Sequence, residues 1–253
     1  MKKSFYALVL LFLISCNRNP FESDNLKYSK SDLPPLTDST KALYYKDAAY
    51  LEFENLCKNK ETKYSQVRMD ENNIQHYYDD LLTIYNNSYK ISDSFFENFF
   101  HIHTFGTIML YGISVGVDTS KSWVGQWVNG NNETGLDAID SIIGNYDLEI
   151  THSHYYLFGD WYSFKIKSKE PINYYALIQK FKDTGEFRYV DPWGLAGDGS
   201  TISFESGRAY KFALRWGDCP AGCINSHYWQ IEVENNRTAL LKEGGAPITQ
   251  LYP

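Results

Sequence analysis

Leu148-Glu149-Ile150-Thr151-His152-Ser153-His154-Tyr155-Tyr156-Leu157-Phe158-Gly159-Asp160-Trp161-Tyr162-Ser163-Phe164-Lys165-Ile166-Lys167 reads as two strands joined by a turn. Successive side chains of a strand point to opposite faces, so residues two apart share one. Strict alternation puts Leu148, Ile150, His152, His154 and Tyr156 on one face of the first strand. Gly159-Asp160 turns the chain. Tyr162, Phe164 and Ile166 then face one way, with Ser163, Lys165 and Lys167 opposite. That is the pattern of an antiparallel partner with one wet side.

Upstream, Met109, Tyr111, Ile113, Val115 and Val117 alternate with Leu110, Gly112, Ser114 and Gly116, which predicts a central strand from Thr107. Thr134 is placed to cap a helix carrying Leu136, Ile139, Ile143 and Tyr146, with Asp137 set for a capping-box contact. Downstream, Asn173 caps a helix with Tyr174, Leu177, Ile178 and Phe181 on one face. Phe187 and Tyr189 open a short strand before Asp191-Pro192. The order strand, helix, strand, strand, helix, strand is the ferredoxin-like arrangement. Over Thr107 to Trp193 this order resembles the propeptide and inhibitor modules of subtilisin-like proteases. The resemblance implies docking to a protease or another envelope protein; it carries no sequence motif, and fold alone does not specify function.

Before this region, helical spacing predicts one helix over Ser39 to Lys58 and a second over Glu71 to Asn86, a pair that must bury both apolar faces. Ser92 to Phe99 fits helix or strand. Asn17 to about Thr40, polar and containing Pro34-Pro35, reads as a flexible tether. Beyond Gly194 to Gly199, a turn without the lysine of a phosphate-binding loop, Ile202 and Phe204 start a last sheet. Tyr210, Phe212, Leu214 and Trp216 alternate, as do His227, Trp229, Ile231 and Val233, which makes Gly217 to Asn225 the loop of a large hairpin. The tail from Gly244 is expected to be loosely held.

Three readings compete for Cys219 and Cys223 inside that loop. A local disulfide leads if the chain is exported. A soft metal such as zinc has four candidate ligands in Asp218, Cys219, Cys223 and His227, though no second cysteine knuckle is present. Redox catalysis is weaker, because the spacing is not Cys-x-x-Cys. His227 itself is expected as a hydrogen-bonded core residue. The run Gly217 to Trp229 resembles uncharacterised secreted and lipid-anchored proteins of Gram-negative bacteria, which implies a class and no catalytic residue.

The first residues speak to compartment. Lys2 and Lys3 precede an apolar run from Phe5 to Ile14, too short to cross a bilayer as a helix and typical of an export signal. It ends Leu13-Ile14-Ser15-Cys16, which resembles the lipobox of bacterial lipoproteins. The resemblance implies cleavage after residue 15, lipid attachment at Cys16 and membrane anchoring through the acyl chains. Asn17, where an aspartate would favour inner-membrane retention, favours the outer membrane by the same resemblance. The net charge of −7 disfavours nucleic-acid binding, which needs clustered Lys and Arg. Cys57 is expected as a buried free thiol on a helix.

His101-x-His103 and His152-x-His154 are candidate metal ligands, since residues two apart on a strand share a face. No Gly-x-Ser-x-Gly elbow occurs. Exposed aromatics, including Trp123, Trp127, Tyr155, Trp161 and Tyr228, are the better functional lead. The chain is thus expected to be α+β. Residues 1–15 form a signal, 16–40 a tether, 41–100 a helical region, 101–193 a ferredoxin-like region and 194–253 a β region with a local disulfide. The expected function is a membrane-anchored envelope binding module without cofactor; the alternative is a metal-dependent or carbohydrate-active hydrolase.

Overall fold

A computed structural model describes residues 26–194, 196–205 and 208–248, the His152 side chain excepted. The export signal, Cys16, Leu195 and the end of the tail lie outside the described residues.

The chain is α+β, as its patterns predict. Helices α1 (Asp38–Cys57), α2 (Lys60–Ser65), α3 (Glu71–Asn87) and α4 (Asp93–Asn98) come first. Thr37, Asn59, Asp70 and Ser92 cap them, each side chain accepting an N–H of the first turn that has no partner within its helix. Ser92 to Phe99 is therefore helical at its heart. The described part of the predicted tether is docked from Lys27 onward. Lys27 N–H donates to Asp93 at 2.9 Å, Tyr28 stacks on Phe96 at 4.4 Å, and the Tyr85 hydroxyl donates to the Pro34 carbonyl at 2.6 Å. Those contacts dock the segment, which includes a 3-10 turn at Lys30–Asp32, onto α3 and α4 before α1 begins.

Next come β1 (Gly112–Asp118), α5 (Val124–Val128), α6 (Asp137–Asn145), β2 (Leu148–Tyr156), β3 (Trp161–Ser168), α7 (Tyr174–Asp183) and β4 (Tyr189–Pro192). The sheet order is β2-β3-β1-β4, all antiparallel, which is the ferredoxin-like topology. Two details depart from expectation. Thr107–Tyr111 is a turn of 3-10 helix, so β1 starts later than the alternation suggested. At α6 the cap is the reverse of the predicted box: the Asp140 carboxylate accepts from Thr134 N–H, Thr134 Oγ1 and Gly135 N–H. Burial pushes that carboxyl up, but the three donors outweigh it and hold it below its ordinary value.

Strands β5 (Thr201–Glu205), β6 (Ala209–Trp216), β7 (Asn225–Glu234) and β8 (Arg237–Gly245) form a second antiparallel sheet in sequence order. Phe212 pairs with Trp229 and Tyr210 with Ile231, so the predicted apolar faces coincide. β8 was not expected. Asn235 and Asn236, at φ 49° and 60°, make the tight turn that returns it, and asparagine tolerates that conformation. Gly244 and Gly245 pair with Tyr228 and His227, so the segment from Gly244 is held by the sheet as far as it is described.

One continuous core runs through both halves. Helices α3 and α4 pack on the second sheet, with Tyr77 against Phe204 and Phe95 against Phe212 and Trp229, and α1 lies beside α3. Helix α1 meets the ferredoxin-like half through Phe53, stacked on Tyr174 of α7 at 4.8 Å. On the ferredoxin-like sheet, Trp127 packs on Phe164 and Phe181 on Phe187, all on the face covered by α6 and α7. Trp123 and Trp127, predicted as exposed aromatics, are buried there.

Candidate functional site

The opposite face of that sheet is open, and its parity is set by one residue. Ile150 pairs with Ile166, but His152 pairs with Lys165, so Thr151 is an extra residue in β2. A bulge of this kind breaks the two-residue period. Leu148 and Ile150 lie on the core face, whereas His152, His154 and Tyr156 take register positions opposite Lys165, Ser163 and Trp161. The histidine pair was predicted to share the face of Leu148 and Ile150; the bulge moves it to the open face.

On that face the aromatics are spent on one another. Tyr156 stacks on Trp161 at 4.0 Å and 9°. The Arg188 guanidinium lies 5.7 Å from the Trp161 ring centre, and Tyr189 meets it edge-on at 5.5 Å. His154 packs its ring against Tyr156 at 4.6 Å. Gly116 leaves room for the Tyr189 ring, where any Cβ would collide with it. Ser163 Oγ and the Tyr189 hydroxyl are 2.8 Å apart. The ladder braces the hairpin and leaves no free ring face on Trp161 for a sugar.

The turn beyond it is pinned through its backbone. Thr119 N–H and Oγ1 donate to the Asp160 carbonyl at 3.1 and 3.2 Å. Arg188 Nη1 donates to the Gly159 carbonyl at 3.3 Å and to Asp118 at 3.1 Å. Tyr155 donates its hydroxyl to Asp160 at 3.1 Å, a bond that raises the phenol above its ordinary value. Asp160 adopts φ 52° to close the turn. With the polar groups so engaged, Leu157 and Phe158 stand at the apex with relative exposures of 72% and 104%. Tyr155 and Tyr156 are exposed just behind them.

The other candidate residues are placed as follows. Cys219 and Cys223 are joined as a disulfide. That removes the zinc reading of the loop: its thiolates are consumed, and His227 Nδ1 and Nε2 face the Ala246 carbonyl at 2.9 Å and Glu243 at 3.1 Å. The loop is a scaffold, since the Asp198 N–H donates to the Cys219 carbonyl and Arg215 Nη1 reaches both Asp198 oxygens at 2.9 and 2.7 Å. Cys57 is a free, half-buried thiol that burial pushes up.

His101 is exposed at the end of the 3-10 turn Phe99–His101. His103 Nδ1 lies 2.6 Å from Oδ2 of the wholly buried Asp47, whose other oxygen accepts the Thr104 N–H at 2.7 Å. Sequence reading missed this dyad, because Asp47 sits on a helix far away in the chain. Its geometry orients an imidazole, yet no nucleophile is bonded to the ring. Likewise Ser94 donates to Glu243 at 2.8 Å rather than to His227. Among the described residues no group of three or more His, Cys, Asp or Glu side chains is arranged to hold a metal, and no helix is long and apolar enough to cross a membrane.

A hollow of about 380 Å³ beside Arg68, Glu71, Tyr146 and Lys169 is lined by mixed charges and converges on no catalytic constellation. The braced hairpin with its bare apex remains the feature most in need of a partner. No family model, no curated protein and no solved structure matches the chain.

Proposed function

We propose that this chain is an exported lipoprotein, anchored in the outer membrane of the bacterial envelope by lipid at Cys16, and that it works as a binding module. The observation that carries the binding role is the β2–β3 hairpin, stiffened along its length and bare at its apolar apex. Contiguous exposed apolar surface on a soluble body marks a contact site. Export is supported by the residues Leu13-Ile14-Ser15-Cys16 and by a disulfide, which persists in oxidising compartments. The acidic balance disfavours nucleic acid as the partner.

The test is fractionation of the native host with mass spectrometry of the purified chain. An acylated Cys16 in the outer-membrane fraction supports the reading. An unmodified amino end in a soluble fraction, or free thiols at Cys219 and Cys223, defeats it.

A further inference from the structure

We infer that the apex of the β2–β3 hairpin is a lipid-contacting wedge, whose partner is the interfacial layer of a bilayer. This rests on the contact role given to the hairpin above and names what covers it.

Polarity falls off along the hairpin in the order that a membrane surface presents. The apex, Leu157 and Phe158, is pure hydrocarbon and exposed. One step back come Tyr155, Tyr156 and Trp161, whose rings carry a polar edge suited to headgroup depth. Behind these lie Arg188, Lys165 and His154 on the open face. The charges behind the apex are engaged: Arg188 is paired with Asp118, and the Asp160 carboxylate, still anionic, accepts from Tyr155. The turn is also preorganised, because Thr119 and Arg188 hold its carbonyls. Insertion therefore carries little ordering cost.

Size decides between a bilayer and a protein. A stable protein interface needs about 800 Å² and about 20–30 residues on each side. Four exposed apolar side chains at a two-stranded tip fall well short, and the flanking face carries exposed Lys165, Lys167 and Asp191. A bilayer demands no shape complementarity. Burying Leu157 and Phe158 together favours the bound state by roughly 10²- to 10⁴-fold, at about 1.5–3 kcal/mol per side chain. That is weak alone and effective as a second attachment beside another anchor. It would orient the body against the membrane.

The experiment uses the full chain mixed with phosphatidylcholine vesicles, with and without bromine on the acyl chains. Phe158→Trp places a reporter at the apex, and the signal of the native tryptophans is subtracted. A blue shift with quenching by brominated lipid is expected. Adding Leu157→Asp should abolish both, whereas Ile224→Asp, equally exposed on the disulfide loop, should change neither. Thermal melts matching the parent chain show that the fold survives each change. Vesicle-bound chain whose reporter at 158 stays unquenched overturns the inference, as does a photocrosslinker at 158 that captures one protein and no lipid in the native host. A quenched apex on a chain lacking acylation at Cys16 would remove the anchoring reading and leave this one standing.

Discussion

At the scale of single residues, the acidic groups buried in the helical half set the chemistry. Asp47 is fully buried and has its lone pairs met by His103 and the Thr104 N–H. Leaving a buried acceptor unsatisfied costs about 1–3 kcal/mol. His103→Ala is therefore expected to lower stability by roughly 2 kcal/mol, read as a lower urea midpoint with unchanged slope. Glu52 is the contrasting case. It is buried with only amide partners such as Asn55 Nδ2 at 3.3 Å, and burial raises its carboxyl above the ordinary 4.5. Ionised Glu52 thus costs stability at neutral pH. Glu52→Gln keeps an acceptor for Asn55 and removes the charge, so it should raise the melting temperature at pH 7. The gain should vanish below about pH 4.5, where the parent carboxyl is already neutral.

At the scale of elements, the extra residue in β2 and the ring at Cys219–Cys223 invite direct tests. Deleting Thr151 removes the bulge and leaves every other residue of β2 on its present face, since Ile150 and His152 already oppose adjacent residues of β3. The deletion is expected to cost about 1 kcal/mol or less and to keep the near-ultraviolet signal of the Tyr156–Trp161 stack. Deleting Ser153 instead makes the ladder absorb the loss by bringing His152 opposite Phe164 on the core face, so stability should fall while that signal, whose residues keep their register, persists. The disulfide closes a ring of few residues, so its entropic contribution is about 2 kcal/mol by loop closure. Reduction should lower stability by about that amount. It should also speed hydrogen exchange at the Asp198 amide, which bonds to the Cys219 carbonyl.

At the scale of the whole molecule, one core joins both halves, and stability against pH sums opposing carboxylates. Glu52 and Glu54 are raised by burial. Their penalty is relieved as pH falls through their raised values toward 4.5. Asp198 is held below 3.8 by the Gly199 N–H and Arg215, and Glu186 below 4.5 by Lys121 and Trp123. Their contribution is complete above those ordinary values and is lost as pH falls through the lowered ones. The melting temperature should therefore peak on the acid side of neutral and drop below about pH 4, followed by calorimetry across the range. A curve rising steadily from pH 5 to 8 would contradict this balance.

The sequence by itself determined the element order of the ferredoxin-like half with the Asn173 cap of its last helix, the two long helices, and the shared apolar face of β6 and β7. Each of these follows from local periodicity and from side chains that satisfy nearby backbone groups. It also marked Cys219 and Cys223 as a pair, with a local disulfide as the leading reading. Only the tertiary structure decided the rest. A single unpaired residue, Thr151, reverses the face of everything after it in β2, and no periodicity announces which residue of a strand will be left out of the ladder. Asp47 and His103 meet across distant segments, and Trp123 and Trp127 pack on Phe187 of the loop after α7 and Phe164 of β3, both far from them in the chain. Leu157 and Phe158 are bare because the turn's polar groups are held by Thr119 and Arg188, which leaves the apex uncovered among the described residues.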